Sequence, residues 1–101
     1  MTVTLATLTA AVLEPLVGQT LELTLPDGRT TTGVLASVKE RAPQPGLART
    51  PFSFLFRAPD DGAHPSQGTV RIAHASFGAL EVFAVPVGRG PDGISWEVIF
   101  S

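Results

Sequence analysis

Apolar and polar residues alternate along most of this chain, and this period of two constrains the fold more than any other feature. In QTLELTL, residues 19–25, Leu21, Leu23 and Leu25 alternate with polar side chains. Successive side chains of a strand point to opposite faces, so this pattern predicts a half-buried β-strand. Five further segments predict strands for the same reason: residues 30–40, 52–57, 69–74, 79–87 and 94–100.

Six short sequential strands predict an all-β fold, either a small antiparallel six-stranded barrel or a two-sheet sandwich. One short N-terminal helix is predicted at LTAAVLE, residues 8–14, with Thr9 as its cap and Pro15 ending it. Since the chain has 101 residues, we expect one domain spanning residues 1–101.

Two residues inside the predicted strands have special backbone properties. Gly33 indicates a β-bulge or a close approach of another backbone. Pro86 cannot donate to a strand ladder, so it predicts a sheet edge or a bulge. In PFSFLFR, Phe52, Phe54 and Phe56 share one face, which predicts a core stripe; the alternative is an exposed aromatic groove that receives a partner strand.

Composition excludes several classes of function. The chain has no cysteine, which rules out disulfides, thiolate metal sites and thiol catalysis, and leaves the compartment undetermined. Its formal net charge is −2 and Lys39 is its only lysine, so we expect no nucleic-acid partner. Charged residues make up 16% of the chain, against roughly 25% in an average domain. This weak charge indicates burial against partners or a simple compositional bias.

The N-terminal stretch MTVTLATLTAAVLEPLVG is apolar but lacks a positive residue before its hydrophobic part. A secretory signal needs that positive region, so we interpret the segment as mature protein. No stretch of the sequence approaches 18 uninterrupted apolar residues, so membrane insertion is not expected.

Asp60, Asp61, His64 and Ser66 are residue types that bind metals or form nucleophile–base pairs. Prolines and a glycine surround them, and this composition is typical of a turn. GRGPDG, residues 88–93, matches the dinucleotide pattern GxGxxG, but a strand follows where that fingerprint requires a helix. The sequence therefore predicts no catalytic, cofactor-binding or metal site.

His74 lies at a strand end on the side of Val70 and Ile72, which predicts a satisfied, partly buried histidine. Arg57, Arg71 and Arg89 fall at or just beyond strand ends, where a guanidinium can hold a neighbouring carboxylate. We interpret Arg57 and Arg71 as structural clamps. Arg89 is a candidate partner contact.

Three segments together resemble one family of roughly 100-residue bacterial proteins of unassigned function. They are LEPLVGQTLEL, PGLARTPFSFLFRAP and QGTVRIAHASFGALEVFAVPVGRGPDGISWEVIF. Val70 and Trp96 depart from the pattern, which has tyrosine there. Members of the family are often encoded beside phage-tail-collar (microcystin-dependent) proteins. The resemblance implies a setting, in which a small β-domain is made alongside tail-fibre-like proteins. The final location stays open, and synthesis in the cytoplasm with assembly into an extracellular fibre is one course.

From this setting we expect a non-enzymatic structural or assembly protein of a phage-tail-like fibre or surface appendage. Its partner would be a phage-tail-collar-like fibre protein or a second copy of the chain, bound through sheet edges and apolar rim residues. The candidate contact strand is ALEVFAVPV, and the candidate site residues are Glu81, Phe83, Val85 and Pro86 within it and Arg89 just beyond its end. A chaperone or adaptor for the fibre protein is the alternative, and a small-molecule enzyme ranks third.

Overall fold

The computed structural model of the chain describes residues 8–42, 46, 51–60 and 66–100. Its strands are β1 (Thr20–Thr24), β2 (Thr30–Glu40), β3 (Phe52–Ala58), β4 (Gly68–His74), β5 (Gly78–Gly90) and β6 (Gly93–Phe100). All neighbours are antiparallel, and the strands close into a barrel in the order β1-β2-β3-β6-β5-β4. The all-β prediction is confirmed, and of the two predicted architectures the barrel is the one that forms.

The predicted N-terminal helix forms, but it is shorter than expected. Helix α1 covers Ala10–Leu13, and a 3₁₀ turn, Glu14–Leu16, follows it. One expectation was wrong: the Thr9 side chain makes no capping hydrogen bond. The α-helix ends at Leu13, directly before Glu14 and Pro15, and Pro15 lies within the 3₁₀ turn. Proline is tolerated there because the first N–H groups of a helical turn have no intrahelical acceptor.

The barrel interior is filled by the apolar residues that the alternation places on one face of each strand. Phe52, Phe54 and Phe56 are all buried, so the core stripe is confirmed and the exposed aromatic groove is excluded for these rings. The Phe52 ring stacks on Phe100 with centroids 5.0 Å apart. Leu8, Leu13 and Leu16, from the helical segment, belong to the same buried cluster. The helix therefore adds its apolar face to a single core.

The sequence predicts a bulge or a close backbone approach at Gly33 and a sheet edge or a bulge at Pro86, and the structure has one of the two at each residue. A Cβ atom on Gly33 would lie against the carbonyl oxygen of Arg57 and 2.7 Å from Leu23 Cδ1. The close backbone approach is therefore confirmed. The β2 bulge is nearby, where the register with β3 shifts between Leu35 and Ser37. The register of β5 with β6 shifts between Pro86 and Gly88, so Pro86 is at a bulge.

Trp96 combines deep burial with an unsatisfied polar atom. It is 1% exposed, its ring stacks on Phe56 at a centroid distance of 6.0 Å, and no described residue accepts a hydrogen bond from its Nε1–H. Removing a buried donor without a partner gains about 1–3 kcal/mol. Replacing the indole ring of Trp96 by the smaller phenyl ring of phenylalanine loses about 1–2 kcal/mol of packing free energy.

We therefore expect Trp96→Phe to change the free energy of unfolding by no more than about 2 kcal/mol, because these two effects oppose each other. Urea unfolding followed by far-UV circular dichroism measures it. The control is Trp96→Ala, for which we expect a loss of about 3–5 kcal/mol. Equal losses in the two variants would contradict the opposing contributions.

Candidate partner-binding site

The pairing of β5 with β6 stops before either strand ends. It runs from Gly90↔Gly93 to Val85↔Glu97. The first part of β5 then pairs with β4, up to Ala84↔Gly68, and the last residues of β6 pair with β3, up to Phe100↔Phe52. On its side that faces β6, β5 has no strand partner over residues 78–84 within the described chain. We call this opening in the barrel wall the β5–β6 cleft.

The bulge in β5 gives a physical reason for the opening. The register shift lies between Pro86 and Gly88, directly before the last two pairs with β6. A bulge bends its strand and increases the local twist. Beyond the two pairs that follow the bulge, Pro86↔Trp96 and Val85↔Glu97, β5 pairs with β4 and no longer with β6.

The cleft has a volume of about 270 Å³. Two of the residues that line the cleft, Val82 and Val98, are buried and form its floor. Two others, Phe83 and Ile99, are 58% and 55% exposed. The complete lining consists of Glu81, Val82, Phe83, Val85, Glu97, Val98, Ile99 and Phe100. Single exposed apolar residues are ordinary on a protein surface. Two large ones lining a single cleft form an apolar contact surface.

Two carboxylates line the same cleft. Glu81 is on β5 and Glu97 is on β6, and both belong to the outward faces of their strands. Neither forms an ion pair with a residue that the structure describes. Arg71 is the register neighbour of Glu81 on β4, but their charged groups are not within ion-pair distance. The cleft is therefore apolar in the middle and acidic at its rim.

The structure brings together three of the five residues predicted to contact a partner. Glu81, Phe83 and Val85 all line the cleft. Pro86 lies at the adjoining bulge. Arg89 lies elsewhere, and its Nε is 2.7 Å from Asp60 Oδ2 in the loop after β3.

Sequence reasoning missed the β6 side of this site, which consists of Glu97, Ile99 and Phe100. One feature of the sequence nevertheless indicated a contact surface on β6. In the alternation of β6, Ile99 occupies a position on the outward face, where polar residues are expected. Phe83 has the same anomaly on β5. Large apolar residues on the solvent face of two strands indicate a contact surface, although nothing in the sequence places the two strands side by side.

The two predicted clamps differ in their surroundings. Arg57 Nη1 lies 3.3 Å from Asp92 Oδ2, in the turn between β5 and β6, and the two side chains are 40% and 76% exposed. An ion pair this exposed contributes about 0–1 kcal/mol. Arg71 forms no ion pair with the described residues; it lines a shallow polar depression together with Glu22 and Thr31. Both remain predictions as clamps.

His74 is partly buried and hydrogen-bonded, as predicted. Its Nδ1 accepts a hydrogen bond of 2.9 Å from the backbone N–H of Ser76. A neutral ring that accepts at Nδ1 carries its proton on Nε2, which lies 3.0 Å from Gln19 Oε1. The ring also stacks on Phe77 at 5.8 Å. These contacts give His74 a structural role.

The remaining polar clusters show no arranged reactive site. Asp61 and His64 lie outside the described residues, and Ser66 is exposed. Within the described ranges, no three His, Asp or Glu side chains group together as metal ligands. Asp27 is in the turn between β1 and β2, and its Oδ1 accepts a hydrogen bond of 3.0 Å from the backbone N–H of Arg29. This bond, and after it the bond from the Arg29 guanidinium, lowers the pKa of Asp27.

No helix among the described residues has the length and apolarity needed to cross a membrane.

These features define a small closed β-barrel with an apolar, acid-rimmed opening in its wall. The chain belongs to the family described as a domain of unknown function (DUF6916), which matches residues 8–100. The predicted membership of a family without assigned function is therefore confirmed. Searches of curated proteins and of solved structures gave no match.

Proposed function

We propose that the protein is a non-enzymatic structural or assembly component of a phage-tail-like fibre or surface appendage, and that it binds a partner subunit at the β5–β6 cleft. One observation carries the proposal: β5 and β6 separate after Val85↔Glu97 and leave Phe83 and Ile99 exposed beside the gap. Unpaired strand sides and exposed apolar residues are the two features by which sheets bind an added segment.

The closed barrel limits how strand addition can occur. Within the described chain, every strand has a neighbour on each side over at least part of its length. In β5, residues 85–90 pair with β6 and residues 78–84 pair with β4. Among the described residues, an added segment can therefore pair with β5 at two places: the β6-facing side of residues 78–84, in the cleft, and the β4-facing side of residues 85–90.

The fibre setting rests on the resemblance to proteins encoded beside phage-tail-collar proteins. It supplies the expected partner, a tail-collar-type fibre protein, and the cleft supplies a surface for that partner. A chaperone or adaptor that holds the fibre protein before assembly would use the same cleft. The two roles differ in one respect: a structural component is present in finished fibres, whereas a chaperone is absent.

The enzyme alternative finds less support in the geometry. It requires a pocket formed by Asp60, Asp61, His64 or Glu81. Asp60 is bound to Arg89 near the end of β5, whereas Glu81 lies near its start, roughly 25 Å away along an extended strand. These two carboxylates therefore do not share a pocket.

The function is tested by affinity capture of the tagged chain from its host, with mass spectrometry of the eluate. We expect a tail-collar-type fibre protein to be enriched over a tag-only control, and we expect the chain itself in purified fibres. Capture without incorporation into fibres would favour the chaperone role. Recovery of the chain alone and monomeric would contradict both roles.

A further inference from the structure

We propose that the β5–β6 cleft receives a single arginine side chain of the partner subunit, and that Glu97 binds its guanidinium. This inference rests on the proposed function, because it specifies the chemistry of the partner at the same site. It needs contacts between side chains only and no backbone pairing with β6. It is carried by the size and apolar floor of the cleft, by the surroundings of Glu97 and by the exposed ring of Phe83.

The size of the cleft favours one side chain over a free ligand. Small-molecule sites have volumes of about 300–1,000 Å³, whereas this cleft has about 270 Å³. Its buried floor, Val82 and Val98, is apolar, and carboxylates lie at its rim. A long basic side chain fits such a cleft, because its apolar stem covers the floor while its charged end stays at the rim.

Glu97 has apolar residues on both sides and no ion-pair partner in the described chain. Its register partners are Leu55 on β3 and Val85 on β5, and Glu97 itself is partly buried. Arg57 lies diagonally across the β3–β6 ladder, but its Nη1 is 3.3 Å from Asp92 Oδ2. The charge of Glu97 is therefore available to a cation that the partner supplies.

Glu81 differs from Glu97, although both line the cleft. It is exposed, and its register partner on β4 is Arg71. Cross-strand pairs of opposite charge stabilise a sheet, so Glu81 already has a cation on the neighbouring strand. Glu81 also lies four residues along β5 from Val85, which is level with Glu97. This places the two carboxylates roughly 13 Å apart along the strands, so one guanidinium reaches only one of them.

The surroundings of Glu97 favour arginine over lysine. A guanidinium binds a carboxylate through two parallel hydrogen bonds, and it is more weakly hydrated than an ammonium group. Phe83 lines the cleft two residues from Val85, the register partner of Glu97. Side chains at such diagonal positions reach each other when they are aromatic or long. The exposed ring of Phe83 can therefore stack on the guanidinium that Glu97 binds.

The charge of Glu97 disfavours a second copy of the chain as the occupant. In a contact between two copies related by a two-fold axis, both copies use the same surface. Such a contact centred on the cleft would bring Glu97 of one copy close to Glu97 of the other. Like charges that face each other across an interface oppose association. A heterologous partner that supplies an arginine avoids this repulsion.

The test uses three blocked synthetic peptides with the purified protein. Their central sequences are Leu-Ser-Arg-Ser-Leu, Leu-Ser-Lys-Ser-Leu and Leu-Ser-citrulline-Ser-Leu, in which citrulline has the shape of arginine without its charge. We expect the arginine peptide to shift the backbone amide signals of residues 83, 85, 97 and 99 in ¹H–¹⁵N NMR spectra. It should bind about fivefold more tightly than the citrulline peptide and about twofold more tightly than the lysine peptide. Absence of these shifts, or equal affinity for the arginine and citrulline peptides, would overturn the inference.

Matched variants locate the carboxylate. Glu97→Gln keeps the shape of the side chain and should remove the preference for arginine over citrulline. Glu22→Gln makes the same change on β1, outside the cleft, and should leave the preference intact. Loss of the preference in Glu81→Gln rather than in Glu97→Gln would contradict the assignment of Glu97.

A second pair of variants locates the apolar contact. Phe83→Ser should weaken the arginine peptide about fivefold, since the guanidinium loses the ring. Val87→Ser, at a β5 residue that is 53% exposed outside the cleft, should not weaken it. Equal affinities of these two variants would contradict the position of the site.

Capture from the host separates this inference from the proposed function. If Glu97→Gln captures the fibre protein as well as the wild type does, the function stands and the arginine contact is wrong. If the wild type captures no fibre protein but prefers the arginine peptide, the contact stands and the fibre partner is wrong. If sedimentation shows a wild-type dimer that Phe83→Ser dissociates, the occupant is a second copy and the partner arginine is wrong.

Discussion

Phe54→Ala should lower the free energy of unfolding by about 3–5 kcal/mol, which is the cost of truncating a fully buried phenylalanine. Phe54 is 1% exposed, and its ring stacks on Phe100 with centroids 6.1 Å apart. The loss includes the cavity left in the core, because the neighbouring strands are held by their ladders and relax only partly. Against a total stability of about 5–15 kcal/mol for a domain of this kind, such a variant is close to unfolding.

Phe83→Ala is the control for this prediction. It makes the same chemical change on another strand, but Phe83 is 58% exposed. We expect a cost of about 0.5 kcal/mol or less, as for ordinary surface positions. Urea unfolding followed by Trp96 fluorescence and circular dichroism measures both variants. Similar losses at the two positions would contradict the inward and outward faces assigned to β3 and β5.

Gly93→Ala should destabilise the fold by about 3–5 kcal/mol, for two reasons that add together. Gly93 follows the turn between β5 and β6 with φ of 117°, a conformation that L-residues rarely adopt. In addition, a Cβ atom there would collide with the backbone carbonyl oxygen of Ala58. The backbone of β3 can yield only by breaking its pairing with β6.

Two other glycines separate these two effects. Gly28 has φ of 90° but open space around its Cα, so Gly28→Ala should cost only the conformational strain, about 1 kcal/mol. Gly88 has neither feature, and Gly88→Ala should change stability by less than about 0.5 kcal/mol. Thermal and urea unfolding of the three variants should therefore rank them Gly93, Gly28, Gly88. A Gly93→Ala variant as stable as Gly28→Ala would contradict the close approach of Ala58.

The GRGPDG segment shows how a local pattern was only partly predictive. The predicted strands, residues 79–87 and 94–100, leave residues 88–93 as their connection. The turn is instead confined to Pro91 and Asp92, and β5 continues through Gly90, which pairs with Gly93. Partner backbone on β6 compensates for the weak strand preference of these glycines, and this compensation is a tertiary effect.

The candidate site was predictable to a similar extent. Glu81, Phe83 and Val85 were proposed because they belong to ALEVFAVPV, the candidate contact strand, and their place on one face of it follows from side-chain alternation, which is a local property. Glu97 and Ile99 were not, since their importance depends on lying beside β5. Arg89 was assigned to a partner, but its guanidinium is bound to Asp60, a residue separated from it by most of two strands and their connections.

The sequence by itself determined the strand pattern, the buried stripe of Phe52, Phe54 and Phe56, and the special positions of Gly33 and Pro86. These follow from side-chain alternation and backbone geometry, which act within a few residues. Only the tertiary structure decided that the sheet closes, through the β1–β4 and β3–β6 pairs, and that β5 leaves β6 after Val85. Strand pairing joins residues far apart in the chain, so the choice of partner depends on the packing of the whole core, and the cleft exists because of that choice.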